Sequence, residues 1–308
     1  MRLFSSKKRS VHEGPYPMEL LKRGPMPDLK SIPKMEAISF RRPKQPNSIV
    51  NAMCEYQAML DAIRDGFINK ARSEIPNDKI ERSNHFKAFG YFSDAAVVGI
   101  CKLSSNNILD IPIHNPDITP LAEALRTRQT KTLASGIDLI MADLKESMEA
   151  PPTTIKGHTH AIVFLYENPR QIKKSEVGVE WLENALSHRA CLRANETSAV
   201  IANYIRLLGF DAKSHSGAAS DVDLNQLAVS SGLVWVKGNH LVAPYIGANF
   251  GLSAVTCKID LEVDRPLAPV EAQSWFKTKG PRWWLGINSE KNVLNKDPYS
   301  KRNFVDGA

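Results

Sequence analysis

Segments with helical and with strand-like patterning follow one another along this chain in an irregular order. There is no regular βαβ alternation and no internal repeat, a combination that confines the chain to an α+β body. The strongest strand signal is Thr159 to Tyr166, a near-continuous apolar run closed by Glu167, Asn168 and Pro169. A second run, Ala95 to Cys101, has the character of a strand or a buried helix. Phe210 to His215 and the alternating stretch Leu252 to Leu261 complete the strand candidates.

The helical signals are spaced between them. Ile49, Met53, Tyr56, Leu60, Ile63 and Phe67 recur at intervals of 4, 3, 4, 3 and 4 behind an Asn47-Ser48 cap. That spacing predicts an amphipathic helix of about five turns. Pro112, Pro116 and Pro120 mark a loop, and a further helix is expected over about 134–148, before Pro151-Pro152. Glu180 to His188 reads as helical. Asn195 can cap another helix with an apolar face of Val200, Ile201, Tyr204, Ile205 and Leu208, which Gly209 stops. Asp221 can cap a short helix carrying Leu224, Leu227 and Ala228 inward, ended by Gly232.

Three parts follow. Residues 1–46 hold 7 of the 19 prolines. Proline fixes φ and removes a donor, so this basic arm is expected to be extended and to lie on a folded body. Residues 47–270 form that body. Residues 271–308 are polar and basic yet contain Trp275, Phe276, Trp283 and Trp284. So much aromatic area is expected to dock, on the chain's own body or on another domain or chain.

Charge narrows the function classes. The arm carries a net +7 and the C-terminal 35 residues +4, against +7 for the whole chain, so the body is slightly acidic. A nucleic-acid partner needs a basic stripe on a folded surface and is not expected. No stretch approaches the roughly 20 apolar residues of a membrane helix. Lys7, Lys8 and Arg9 precede no apolar run, and Arg41-Arg42 is followed by Pro43, Lys44, Gln45 and Pro46. Neither pattern is an export signal, which places the chain in a cytoplasm.

The usual chemical signatures are absent. Cys54, Cys101, Cys191 and Cys257 form no CxxC, which argues against a disulfide framework, a zinc ribbon or a cysteine-ligated iron–sulfur cluster. There is no glycine-rich phosphate loop, no GxSxG and no HExxH. His158 and His160 share one face of a strand, but no third ligand is recognisable nearby, so no metal site is expected. His188 precedes Cys191 by three residues, a spacing that does not itself activate a thiol.

One stretch is specific. Ala199-Val-Ile-Ala-Asn-Tyr-Ile-Arg-Leu-Leu-Gly-Phe-Asp-Ala-Lys-Ser-His215 leads to Leu227-Ala-Val-Ser-Ser-Gly-Leu-Val-Trp-Val-Lys-Gly-Asn-His-Leu-Val-Ala-Pro-Tyr-Ile-Gly247. Leu252-Ser-Ala-Val-Thr256 and Leu261-Glu-Val-Asp-Arg-Pro266 follow. In this order the motifs resemble the corrinoid-binding, nitroreductase-like domain of reductive dehalogenases, and more distantly the epoxyqueuosine reductases. The likeness is close over about 70 residues and extends weakly to Thr159–Tyr166 and Gly14-Pro15-Tyr16-Pro17. It implies a central, mostly antiparallel sheet flanked by helices. In the complete family enzyme it also implies cobalamin, two 4Fe-4S clusters, and a tyrosine with a basic residue at the organohalide.

The departures shape the expectation. Gly238 stands where the family has Arg or Lys after its second glycine, with Lys237 displaced by one. Thr256-Cys257-Lys258 replaces the family's Thr-Asp, and no cluster motif follows. Some members without export signals pair a degenerate, cofactor-free N-terminal copy of the corrinoid domain with a complete one, and this chain resembles that degenerate half. The resemblance therefore implies no catalytic residue, no metal and no cofactor in this chain. Its partner would be the catalytic half of a reductive dehalogenase or a redox partner. Asn239, His240, Leu241, Tyr245 and Gly247 are the positions that would line a surviving corrin pocket; a turn packed on the sheet is the plainer alternative for them. The competing function is an active corrinoid- or flavin-dependent oxidoreductase fed by a separate ferredoxin.

Overall fold

The structure is a computed structural model that describes residues 9–37, 47–127, 154–169, 173, 175–182 and 185–273. Four strands form its central sheet in the order β1-β3-β8-β4, every pair antiparallel. They are β1 (Val97–Lys102), β3 (His160–Glu167), β8 (Phe250–Cys257) and β4 (Ala212–Ser216). The apolar run read from the sequence is β3, paired on both sides: Phe164 faces Val98 on one neighbour and Ser253 on the other. Two short ribbons pair β2 (Ile108–Ile113) with β5 (Ser220–Val222) and β6 (Trp235–Lys237) with β7 (His240–Val242).

Side chains alternate across β3, and both faces are covered, which is why the run lacks polar positions. Ala161, Val163 and Leu165 join Val97, Cys101 and Ala254 in one cluster beneath Leu224, Leu227 and Ala228 of a short helix. That cluster also takes in Met18, Leu21 and Ile32 of the proline-rich arm. Ile162, Phe164 and Tyr166 pack on the other face with Val98, Ile100 and Val255, under Ala194, Ile201, Ala202 and Ile205 of the longest helix.

The α-helices among the described residues are α1 (Ile49–Ala62), α2 (Lys79–Phe92), α3 (Ile118–Thr127), α4 (Val179–Leu182), α5 (Ala185–Leu207) and α6 (Leu224–Ser230). Ser48 caps α1 as expected, accepting from Val50 N. Gly209 follows α5 at φ +83°, and a Cβ there would sit 2.7 Å from the Ala71 carbonyl oxygen. The stop is thus both conformational and steric. Gly232 likewise ends the segment after α6 at φ +68°.

Several expectations are corrected. Asn195 caps nothing: α5 runs through it, and its side chain is spent on Asp61. The cap of α6 is Asp223, which accepts from Asn225 N and Gln226 N, and not Asp221. Pro112 lies within β2 and Pro120 in the first turn of α3, where a missing N–H costs no helical bond. Among its described residues the arm contains three single 3-10 turns. The helix expected over 134–148 and the aromatic residues Trp275, Phe276, Trp283 and Trp284 lie outside the described residues. No described helix is long and apolar enough to cross a membrane.

The amphipathic helix forms over Ile49–Ala62, shorter than expected because it stops before Ile63 and Phe67, and part of its stripe faces outward. Val50, Cys54, Gln57, Ala58, Asp61 and Ala62 face inward, while Ile49, Tyr56, Ile63 and the following Phe67 are exposed. Polar side chains that need buried partners, rather than the apolar stripe, decide which way α1 faces.

Candidate functional site

The motif residues fall on two neighbouring turns. Gly238, at φ +58°, and Asn239 form the tip of the β6–β7 hairpin, with Asn239 and His240 exposed and Leu241 half-buried. Tyr245, at φ +66°, and Gly247, at φ +96°, belong to a tight turn closed by two bonds between Ala243 and Gly247, each 2.9 Å. The structure brings Tyr245 and Gly247 together but leaves Asn239 and His240 pointing into solvent.

Tyr245 is occupied by the arm. Its ring stacks on Tyr16 with centroids 5.5 Å apart. Its hydroxyl donates to the Pro17 carbonyl at 3.3 Å. Burial raises the phenol's pKa, which makes it a poorer proton donor. Lys258, where the family has an acid, is paired with Asp211 at 2.8 Å. These positions present no convergent set of free donors, so they do not fit a corrinoid.

The cysteines do not fit a cluster either. Cys101 and Cys257 lie in the packing layers on opposite faces of the sheet, and Cys54 lies in a third cluster with Val50 and Ala185. All four are buried and none is in a disulfide. Burial pushes Cys191 and Cys257 up to about 12 and raises Cys101 as well. Among the described residues no group of three His, Cys, Asp or Glu side chains is arranged to hold a metal.

The densest polar chemistry sits at the β4 edge of the sheet. The carbonyl of Arg64, just beyond α1, accepts from Ser214 N at 2.9 Å and so covers that edge. Lys213, 1% exposed, bridges Asp221 at 2.9 Å and Asp65 at 3.5 Å, and Arg64 approaches Asp221 at 3.4 Å. One turn back, buried Asp61 accepts from Gln57, Asn115, Asn195 and Ser216, the closest at 2.7 Å. Burial raises the Asp61 pKa, and the four donors oppose that rise.

A hydrogen-bonded chain links this centre to the opposite end of β8. His215 Nδ1 accepts from Asp221 N at 3.2 Å, so the neutral ring carries its proton on Nε2. That proton is donated to Thr256 Oγ1 at 2.8 Å, and the threonine hydroxyl donates onward to His158 Nδ1 at 2.8 Å. His158 Nε2 then faces Asp211 at 3.3 Å. Burial, then the charges of Arg64 and Lys213, hold the His215 pKa well below the ordinary histidine value. Burial lowers that of His158 against the pull of Asp211.

This arrangement orders charge and fixes two tautomers, and it offers no poised nucleophile. Ser216 Oγ donates to Asp61 but accepts from both Ala218 N and Ala219 N, and the residue is buried. Sequence reading passed over Asp61, Arg64, Lys213, Asp221 and Thr256. The signal available was Gln57, Asp61 and Arg64, at spacings of 4 and 3, a polar stripe as regular as the apolar one beside it.

No family profile matches the chain, and no curated protein does. Solved structures do. The catabolic reductive dehalogenase NpRdhA superimposes with a TM-score of 0.64 at 29% identity, over 87% of this chain and 32% of that one. Its complex with 3-bromo-4-hydroxybenzoic acid gives 0.63 at the same identity and coverage. A reductive dehalogenase structure described as suggesting a mechanism for B12-dependent dehalogenation gives 0.65 at 28%, over 94% of this chain and 34% of that one. These solved structures, to which the chain is similar over most of its length, are reductive dehalogenases. The chain spans about a third of the length of these dehalogenases, and its α+β architecture with a mostly antiparallel central sheet matches theirs.

Proposed function

We propose that this reductive dehalogenase-like chain is a cofactor-free half that supports a cobalamin and iron–sulfur module, and that the module removes halide from organohalides. The observation that carries the reading is the fate of the family-motif positions. Tyr245 is stacked on Tyr16 and bonded to Pro17, Lys258 is neutralised by Asp211, and Gly238 offers no side chain. The coverage of about a third agrees with it, since the relatives have twice as much chain again in which to carry the chemistry. Its setting would be the cytoplasm, with the nitroreductase-like corrinoid domain as its ancestral fold.

Hydroxocobalamin titration of the purified chain tests this. Each missing charge-assisted contact is worth roughly 1.5–3 kcal/mol, so no change in the corrin bands is expected at micromolar concentrations. A dissociation constant at or below micromolar overturns the reading and makes the chain an enzyme domain in its own right.

A further inference from the structure

The outward face of α1 is the least expected surface of the molecule. Ile49 is 41% exposed, Tyr56 62%, Ile63 37% and Phe67 85%. Ile49 and Tyr56 lie two turns apart on α1, and Ile63 and Phe67 follow in the segment just beyond its end. The loop beyond α1 adds to this face. Asn69 bonds to the carbonyls of Arg206 and Leu207 at 3.0 and 3.1 Å, which ties the loop carrying exposed Ile68 to the end of α5, where Leu207 is also exposed.

This stripe cannot be relieved by rolling the helix. Rotation that buries Tyr56 and Ile63 withdraws Asp61 from four donors and Arg64 from Asp221 and from the β4 edge. Orphaning those buried groups is costly. A soluble monomer rarely keeps so continuous an apolar patch uncovered. Val50, Cys54, Ala58 and Ala62 already pack inward, so α1 carries apolar side chains on both faces, and Ile49 and Tyr56 are presented away from the body.

We propose that this face of α1, with Phe67, Ile68 and Leu207, is the docking surface for the catalytic module of a reductive dehalogenase. The occupant follows from length. The solved relatives match this chain over only 32–34% of their own residues, so in a complete assembly twice as much protein must be accommodated against this domain. On the opposite side of the sheet the arm already covers the core, through Met18, Leu21 and Ile32. Among the described residues, the stripe on the α1 side offers an apolar surface to a large partner. The inference rests on the supporting-half reading above.

The test is site-specific photo-crosslinking of the full chain in its source organism, where the module is present on the same chain or a separate one. Benzoylphenylalanine replaces Tyr56 or Phe67 in the stripe, or His240 on the exposed hairpin as the control. Adducts are mapped by mass spectrometry. Stripe positions are expected to capture peptides of a cobalt- and iron-containing dehalogenase module, with at least tenfold less capture from His240. Adducts joining two copies of this chain, or an unrelated protein, overturn the proposal. Capture of the module from His240, alone or equally, overturns this face while leaving the supporting-half reading intact. Capture from no position overturns both. In parallel, Ile63→Lys with Phe67→Glu is expected to abolish the adduct with the melting temperature unchanged; loss of folding in that variant would show the stripe to be this domain's own core and overturn the proposal.

Discussion

Asp61 accepts from two carboxamides of its own helix pair, from Asn115 and from Ser216, none of them charged. Its ionised form is therefore held by geometry alone. Asp61→Asn is nearly isosteric, yet it places an NH2 where donors already converge. Each orphaned buried donor costs about 1–3 kcal/mol, so the variant is expected to lose at least ~2 kcal/mol in denaturant unfolding. An unchanged midpoint would show the hub to be dispensable. The histidines give a second test. The folded pKa values of His158, His160 and His215 are all lowered, with burial the leading cause. The unfolded chain therefore binds more protons once pH falls below about 6.5. Stability is fully present above that pH and is lost below it, by at most about 1.4 kcal/mol per pH unit for each histidine. Protonating His158 makes both of its nitrogens donors, so the buried Thr256 hydroxyl loses its acceptor. Unfolding free energies at pH 7.5, 6.5 and 5.5 check the sign, and a flat or rising profile on acidification contradicts it.

At the level of elements, the strands were legible and the direction of the first helix was not. β3 announces itself because seven of its eight residues are buried, so its sequence records burial directly. α1 obeys helical periodicity, but its larger apolar residues Ile49 and Tyr56 are exposed, while Gln57 and Asp61 join Val50, Cys54, Ala58 and Ala62 in the core. Periodicity gives the faces of a helix without saying which one is inside. The polar centre was hidden for a related reason: its members come from α1, β4, β5 and β8, and only pairing makes Lys213, Asp221 and Thr256 neighbours. The motif glycines, by contrast, were legible because Gly209 and Gly232 need positive φ wherever they fold. Asp223 shows how one side chain serves two elements. One carboxylate oxygen caps α6, and the other accepts from Met35 N of the arm at 3.1 Å. Asp223→Ala is expected to cost about 1 kcal/mol for the cap. It should also speed tryptic cleavage at Lys34, which a cap acting alone would not do.

Across the whole molecule, the arm behaves as a strap on one face of the sheet. Arg23 donates to the carbonyls of Gly232 and Arg265, and Lys22 and Gly24 bracket an antiparallel bridge to Leu267. Further along, Asn225 and Gln226 of α6 donate to the Pro33 and Leu29 carbonyls. The proline-rich composition suits this use, since a chain with few free donors gives up little when it is held against side chains instead of a ladder. Met18, Leu21 and Ile32 are less than 9% exposed, and burying each such side chain contributes roughly 1.5–3 kcal/mol. Their sum is comparable with the ~5–15 kcal/mol by which a domain is stable at all. Removing residues 1–37 is therefore expected to leave a chain that retains secondary structure but binds a hydrophobic dye and loses its cooperative melt. The α1 stripe predicts the opposite behaviour for substitutions on the far side of the sheet, where charge is tolerated by the fold and felt only by the partner. If the truncated chain melts as sharply as the full one, the arm is an appendage, and the core closes over Leu224 and Leu227 without it.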